Sequence, residues 1–220
     1  MIRRARFLLV EDHPIFRKGL AQLIMTKEGY EVVAEAGNRA EALEAFERCS
    51  PDLVVMDISL GPESGLELLK DLRARRPDIL ILVLSMHEEE LYAERVLRAG
   101  ARAYVQKDEA AQRVLEAVAC VLSGKVWLSP TVKDRIVQSM FEGRSSVERD
   151  LLSSLSDREF EIFGLMGRGL GTRQIAERLG LSVKTVDSHK EHLKRKLQCS
   201  GAADLRMRAI EWRGRERGDE

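Results

Sequence analysis

A chain of 220 residues, 44% hydrophobic and 33% charged, is apolar enough to build true cores and long enough for two small domains. No apolar run reaches the ~18 residues that cross a bilayer, the stretch from Phe7 to Val10 is too short for a secretion signal, and the scattered Cys49, Cys120 and Cys199 fit neither a disulfide framework nor a zinc site, so the chain reads as reduced, cytoplasmic and free of membrane contact. The formal charge of zero hides an asymmetry: residues 1–123 hold 17 Lys and Arg against 21 Asp and Glu, residues 151–220 hold 14 against 11, and a nucleic-acid contact is therefore expected in the second half.

The first half alternates apolar strands with amphipathic helices. Strands are predicted at 7–10, 31–36, 52–56, 79–84 and 103–105. Helices are predicted at 14–26, from the Asn38 cap to about Cys49, around Leu66–Leu72, at 88–99 before Gly100, and at 109–122 before Ser123-Gly124. Five strand–helix pairs imply a doubly wound α/β fold, a five-stranded parallel sheet covered on both faces. Pro130, Gly143, Ser145 and Ser146 mark a linker over 125–150, helical in part between Val132 and Met140. From Leu151 the pattern is all helical: Ser156 with Glu159 reads as a capping box, Thr172 and Ser182 read as caps of two further helices, Gly180-Leu181 as the turn between them, and 202–212 as a fourth helix ahead of a polar tail from Arg213.

Chemistry collects at the strand ends. Glu11 and Asp12 end the first strand, Asp57 the third and Ser85 the fourth, while Lys107 lies two residues past the fifth. In a parallel sheet these ends share one edge, where sites of such folds lie. Each residue alone reads as a helix start, a cap or a solvated charge; together they define one chemistry. Three close carboxylates repel unless a cation sits among them, and Mg²⁺ suits a shallow oxygen-lined site. Asp57 is then a nucleophile toward phosphorus, with Lys107 and the Ser85 hydroxyl neutralising phosphoryl oxygens. His13, before Pro14, reads as a helix-start residue. An aspartyl phosphatase would want a second Asp two residues after Asp57; Ser59 stands there, so the chain is read as no enzyme.

On these residues, 4–124 resembles the receiver domain of two-component response regulators, with Gly65 eight residues after Asp57 as in that family. The resemblance implies the flavodoxin-like strand order 2-1-3-4-5, Asp57 as phosphoacceptor, Mg²⁺ held by Asp12, Asp57 and the Ser59 carbonyl with Glu11 acting through water, and Tyr104 as the aromatic switch beside Ser85 and Lys107. It also implies a sensor histidine kinase as phosphoryl donor. Gly61-Pro62 and Asp108 depart from the prolines common at these loops.

Residues 151–213 resemble the LuxR-type helix-turn-helix of the NarL/FixJ subfamily. The carrying pieces are Leu155-Ser156 with Arg158-Glu159, Gly169-Leu170-Gly171-Thr172 with Ile175-Ala176, and Leu181-Ser182-Val183 with Thr185-Val186 and His189. The resemblance implies a transcriptional regulator that binds double-stranded DNA through the helix starting near Val183, dimerises when phosphorylated or on DNA through the fourth helix, and has RNA polymerase as a further partner. Candidate DNA-binding residues are Thr172, Lys184, Thr185, Val186, Asp187, Ser188, Lys190, Glu191 and Lys194. Asp187, Ser188 and Glu191 depart from the groove-reading residues of several relatives. The two carboxylates could instead pair with Lys184, Lys190 or Lys194 at helical spacing.

Overall fold

A computed structural model describes residues 4–60, 63–86, 89–108, 111–141, 151–152 and 154–217. It divides into two compact units, Met1–Lys133 and Asp134–Glu220. Gly61, Pro62 and His87 lie outside the described residues, as does 142–150 of the expected linker.

The first unit is the expected doubly wound sheet. Strands β1 (Ala5–Val10), β2 (Tyr30–Ala36), β3 (Leu53–Asp57), β4 (Leu80–Ser85) and β5 (Ala103–Gln106) pair in parallel in the order β2-β1-β3-β4-β5. Helices α1 (Pro14–Met25), α2 (Arg39–Cys49), α3 (Gly65–Arg75), α4 (Glu89–Arg98) and α5 (Ala111–Leu122) connect them. Asn38 caps α2 as read, accepting from the Glu41 N–H at 2.9 Å. Strand periodicity separates two cores. Phe7, Leu9, Leu53, Val55, Leu82, Leu84 and Val105 point to α1 and α5, where Leu20, Ile24, Val114 and Val118 meet them. The alternate residues, Leu8, Val54, Met56, Val83 and Tyr104, are equally buried on the other face. The central strands are buried on both sides, which is why they read as unbroken apolar runs. Ser59–Leu60 and Glu63–Ser64 form a small antiparallel ladder just after β3.

The expected linker does not begin free. Trp127 bridges Ala103 on the outer edge of β5, donating to the Arg102 carbonyl at 2.9 Å. Leu128 and Val132 are buried, and Pro130–Phe141 forms α6. Ordered chain therefore continues past residue 124, because Trp127 and Leu128 gain more from burial than from solvent exposure.

The second unit packs α7 (Asp157–Gly167), α8 (Thr172–Leu179), α9 (Val183–Lys196) and α10 (Ala202–Arg217) around Phe163, Ile162, Ile175, Val186, Leu193, Leu205 and Ala209. The capping box is present: Ser156 Oγ accepts from the Glu159 N–H at 3.3 Å, and Glu159 Oε2 accepts from the Ser156 N–H at 2.7 Å. Ser182 caps α9 as read. Thr172 does not cap α8. Gly171 is the N-cap, served by the Gln174 carboxamide, and the Thr172 hydroxyl accepts from Lys190 instead. Val183, at the start of α9, is exposed although it falls at helical spacing with the buried Val186. The tail is more ordered than its polarity suggests, since α10 runs to Arg217 and Arg213 is buried. Trp212 docks between Phe160 and Phe163 at ring separations of 5.4 and 5.3 Å, so the fourth helix packs on the domain core.

Gly167 lets α7 and α10 approach. A Cβ there would lie 2.6 Å from the Ala209 carbonyl oxygen. Gly167→Ala should force the two helices apart and cost about 1–3 kcal/mol; urea denaturation of the variant showing wild-type stability would contradict this packing.

Candidate functional site

The carboxyl ends of β1, β3, β4 and β5 bring Glu11, Asp12, Asp57, Ser85 and Lys107 to one crevice, as the strand pattern requires. Asp57 ends β3 and is 3% exposed, Glu11 is 1% exposed, and Ser85 is fully buried. Lys107 Nζ donates to Asp57 Oδ2 at 2.6 Å and also to Glu11 Oε2. The same ammonium lies 4.6 Å from the centroid of the Phe16 ring. The Ser59 N–H donates to Asp57 Oδ1 at 2.9 Å. Gly65 lets this loop close: a Cβ would sit 2.5 Å from the Asp57 carbonyl oxygen.

Burial pushes the Asp57 carboxyl up to about 6, against the pull of Lys107 and the Ser59 N–H. Burial also works against the Lys107 ammonium, but Asp57 and Glu11 outweigh it and hold Lys107 above the usual lysine value. One ammonium thus serves two buried carboxylates, with Asp12 beside them. Glu11, Asp12, His13 and Asp57 each bring a ligand atom within 4.8 Å of the others, and the buried Asp12 Oδ1 has only the His13 ring nitrogen beside it among the described residues. These residues fit a divalent cation with oxygen ligands. His13 does more than start a helix. Its Nδ1 lies 2.9 Å from Glu11 Oε1 and 2.8 Å from Asp12 Oδ1, and its pKa is raised, first by the Glu11 hydrogen bond.

Tyr104 and Ser85 lie on the same face of neighbouring strands, because Val83 pairs with Tyr104 and Ser85 with Gln106. The Tyr104 side chain is 1% exposed, so its ring is already inside. Two features went unread in the sequence. Glu89, at the start of α4, is 5% exposed and accepts from the Ser129 N–H at 2.8 Å; the Tyr104 N–H donates to the Trp127 carbonyl at 3.4 Å. The apolar pair Trp127-Leu128, ahead of Pro130 in a polar stretch, was the signal available for this contact.

On α9, Lys184, Asp187, Ser188 and Glu191 are exposed, and Thr185 is half-buried with its hydroxyl 2.7 Å from Ser182 Oγ. Val186 is fully buried, so its side chain serves the core and leaves the set that could touch DNA. Lys194 pairs with Glu191 at 2.7 Å, and Lys190 donates to Thr172 Oγ1 at 3.0 Å. Asp187 and Lys184 have no ion-pair partner among the described residues. No helix among those residues is long and apolar enough to cross a membrane.

Residues 7–119 match the response regulator receiver domain family, and 153–209 match the bacterial regulatory proteins of the luxR family. The chain is 31% identical to the transcriptional regulatory protein DegU of Brevibacillus brevis over 94% of its length and 93% of that protein. It is 38% identical to the transcriptional activator protein ExaE of Pseudomonas putida, covering 93% and 95% of the two chains. A LuxR-family response regulator from Aurantimonas superposes with a TM-score of 0.59 at 35% identity, over 63% of this chain and 99% of that one.

Folding makes Asp57 a weaker acid than its ordinary 3.8, so between about pH 4 and 6 the folded chain holds a proton that the unfolded chain has released. The stability this contributes is complete below pH 4 and lost as pH rises through 6. In EDTA, the stability of Asp57→Asn relative to wild type should rise across that window by on the order of 3 kcal/mol, and saturating Mg²⁺ should erase most of the difference. Parallel pH profiles for the two proteins in thermal denaturation would contradict the assignment.

Proposed function

The chain belongs to the two-component response regulators that join a receiver domain to a LuxR-type DNA-binding domain, and on that premise we propose that Asp57 is its phosphoacceptor and that phosphorylation controls binding of the second unit to double-stranded DNA. It is a transcriptional regulator and not an enzyme. The observation that carries the proposal is the buried Asp57 carboxylate at the end of β3, held by Lys107 at 2.6 Å.

The phosphoryl donor is the phosphohistidine of a partner sensor kinase. An Asp57 oxygen forms the new O–P bond as the N–P bond breaks, and the electron pair returns to the imidazole nitrogen. Asp12, Asp57 and the Ser59 carbonyl would hold Mg²⁺, with Glu11 behind them. When bound, the ion supplies positive charge for the phosphoryl oxygens. Lys107, already against Asp57, turns part of its hydrogen bonding from Glu11 to the phosphoryl group. Ser85 donates its hydroxyl to another phosphoryl oxygen from the end of β4.

Because the Tyr104 ring is buried here, phosphorylation need not draw it in. It locks an arrangement the chain already reaches, as a population shift. The backbone of Tyr104 bonds to Trp127, and the first residue of α4 caps the Ser129 N–H, so the locked face includes the start of the segment leading to the second unit. That unit would bind DNA in the cytoplasm by placing the N-terminal half of α9 in the major groove. Lys184 faces phosphate, while Asp187 and Ser188 face base edges. Thr172, Lys190 and Lys194 support the backbone contacts. Dimerisation would use α10, where Met207 and Ile210 are exposed, with RNA polymerase as the downstream partner.

Wild-type protein incubated with acetyl phosphate and Mg²⁺ should give a shifted band in Phos-tag electrophoresis, and Asp57→Asn none. Phosphorylation should raise the affinity of wild type for its operator and leave that of Asp57→Asn unchanged; an equal shift in both would refute the switch. Lys184→Ala should weaken binding to all sequences alike and reduce the salt slope by about one per unit bound. A change confined to one base position would instead make Lys184 a base reader.

A further inference from the structure

Among the described residues outside the receiver pocket, one group of side chains has metal-ligand chemistry. Glu159 on α7 and His189 and His192 on α9 each present a ligand atom within 4.8 Å of the others. The two histidines are three residues apart on α9, so they leave the helix on the same side, toward the start of α7. Glu159 is 3% exposed and fixed on one side only. Its Oε2 accepts from the Ser156 N–H at 2.7 Å and from Lys196 Nζ at 2.6 Å. Its Oε1 faces His192 Nδ1 at 3.7 Å, too long for a hydrogen bond. That gap is close to the ~3.4 Å that separates two ligands bonded tetrahedrally to one zinc ion at about 2.0–2.1 Å each.

The two imidazoles are suited to the same end. Their rings stand 6.3 Å apart and nearly perpendicular, so they do not stack. His189 Nδ1 is buried and makes no hydrogen bond among the described residues. Burial lowers the His189 pKa, which favours the neutral ring that a metal binds. The His192 side chain is 47% exposed, which leaves room for a water ligand and a path for the ion. Two imidazole nitrogens and one carboxylate oxygen form the donor set of a transition metal rather than of Mg²⁺. Lys196, bound to Oε2, holds the carboxylate so that Oε1 points at the histidines, the part an outer-shell partner plays in a metal site.

We propose that Glu159, His189 and His192 form a transition-metal site, of Zn²⁺ type, that ties the DNA-reading helix α9 to the capped start of α7. The ion stabilises the second unit and fixes where α9 sits along α7. This site is independent of Asp57 and of the phosphoryl switch.

The test uses the untagged full chain, stripped with EDTA, dialysed and kept in excess Mg²⁺ so that the acidic pocket of the receiver is occupied. Isothermal titration with ZnCl₂ should give one equivalent bound per chain for wild type and for Asp57→Asn. His192→Asn, at an exposed position, should bind at least about tenfold more weakly. Zn²⁺ should raise the melting temperature of the wild-type second unit and not that of the variant. Co²⁺ should give the visible absorption of a tetrahedral N/O site in wild type alone. Histidine side-chain NMR then locates the ion without any substitution: Zn²⁺ should move the ring signals of His189 and His192 and leave His13 unmoved. Equal Zn²⁺ affinity in wild type and His192→Asn, or ring shifts at His13 alone, would overturn the site.

Discussion

Lys107 is the charge on which the receiver unit depends. It is the one ammonium placed against Glu11 and Asp57, both buried, with Asp12 beside them. Two buried carboxylates bound to one ammonium leave an excess of negative charge in a region of low dielectric, which is costly. Burial, against the pull of Lys107 and the Ser59 N–H, moves Asp57 up to about 6. A pocket in that condition is relieved by positive charge, and it accepts a phosphoryl group only if positive charge arrives with it. Under the proposed function, the strain that makes Asp57 a poor carboxylate at rest would be the property that couples it to a divalent cation and a phosphoryl donor. Lys107 also ties the pocket together through its main chain, since its N–H donates to the Ser85 carbonyl at 2.9 Å. Movement of the Lys107 loop is then movement of the β4 end that carries Ser85.

From that strand end, a contiguous set of contacts reaches the chain that leaves the receiver. Ser85 and Tyr104 share a face, Tyr104 bonds through its backbone to Trp127, and Glu89 caps the Ser129 N–H while itself nearly fully buried. Lys133 lies over the Trp127 ring at 5.9 Å. A buried acceptor of this kind is expensive to leave without its donor, so α4 and the start of α6 should move together or pay the loss of that bond. Such contacts transmit a signal only where an element has two arrangements; under the proposed function that element is the α4–β5 face, where the Tyr104 ring is buried.

The central strands were legible because they are buried on both faces and so read as apolar runs, and the pocket was legible because parallel strands put their carboxyl ends on one edge. Asp57, Glu11 and Lys107 needed nothing more to be found. What the sequence did not disclose was partner choice. Thr172 has the side chain of a cap, yet Gly171 takes the cap and the hydroxyl goes to Lys190. Val183 shows the same limit: helical spacing puts it on one face with the buried Val186 and Leu193, and only packing decides that it stays exposed. The Trp127-Leu128 pair signalled that something docks there, but a segment rich in turn residues gives no period from which to infer its partner, so Glu89 stayed unread.

The charges on α9 bear on why a switch is needed at all. Of its lysines Lys184, Lys190, Lys194 and Lys196, three are already committed, Lys190 to Thr172, Lys194 to Glu191 and Lys196 to Glu159. The Glu191 pairing removes one carboxylate from the phosphate face, but Asp187 stays exposed, where a carboxylate can accept from cytosine N4 and is repelled by phosphate. Affinity for DNA scales with the number of phosphates neutralised, so each basic side chain committed elsewhere lowers what a single copy can hold. Two copies joined in one particle gain from effective concentration, by factors of about 10²–10⁴, without any new contact. Under the proposed function, a receiver that governed pairing would change occupancy by far more than its own free energy would suggest. A strongly basic reading helix would hold DNA as a monomer and leave the phosphoryl switch little to control.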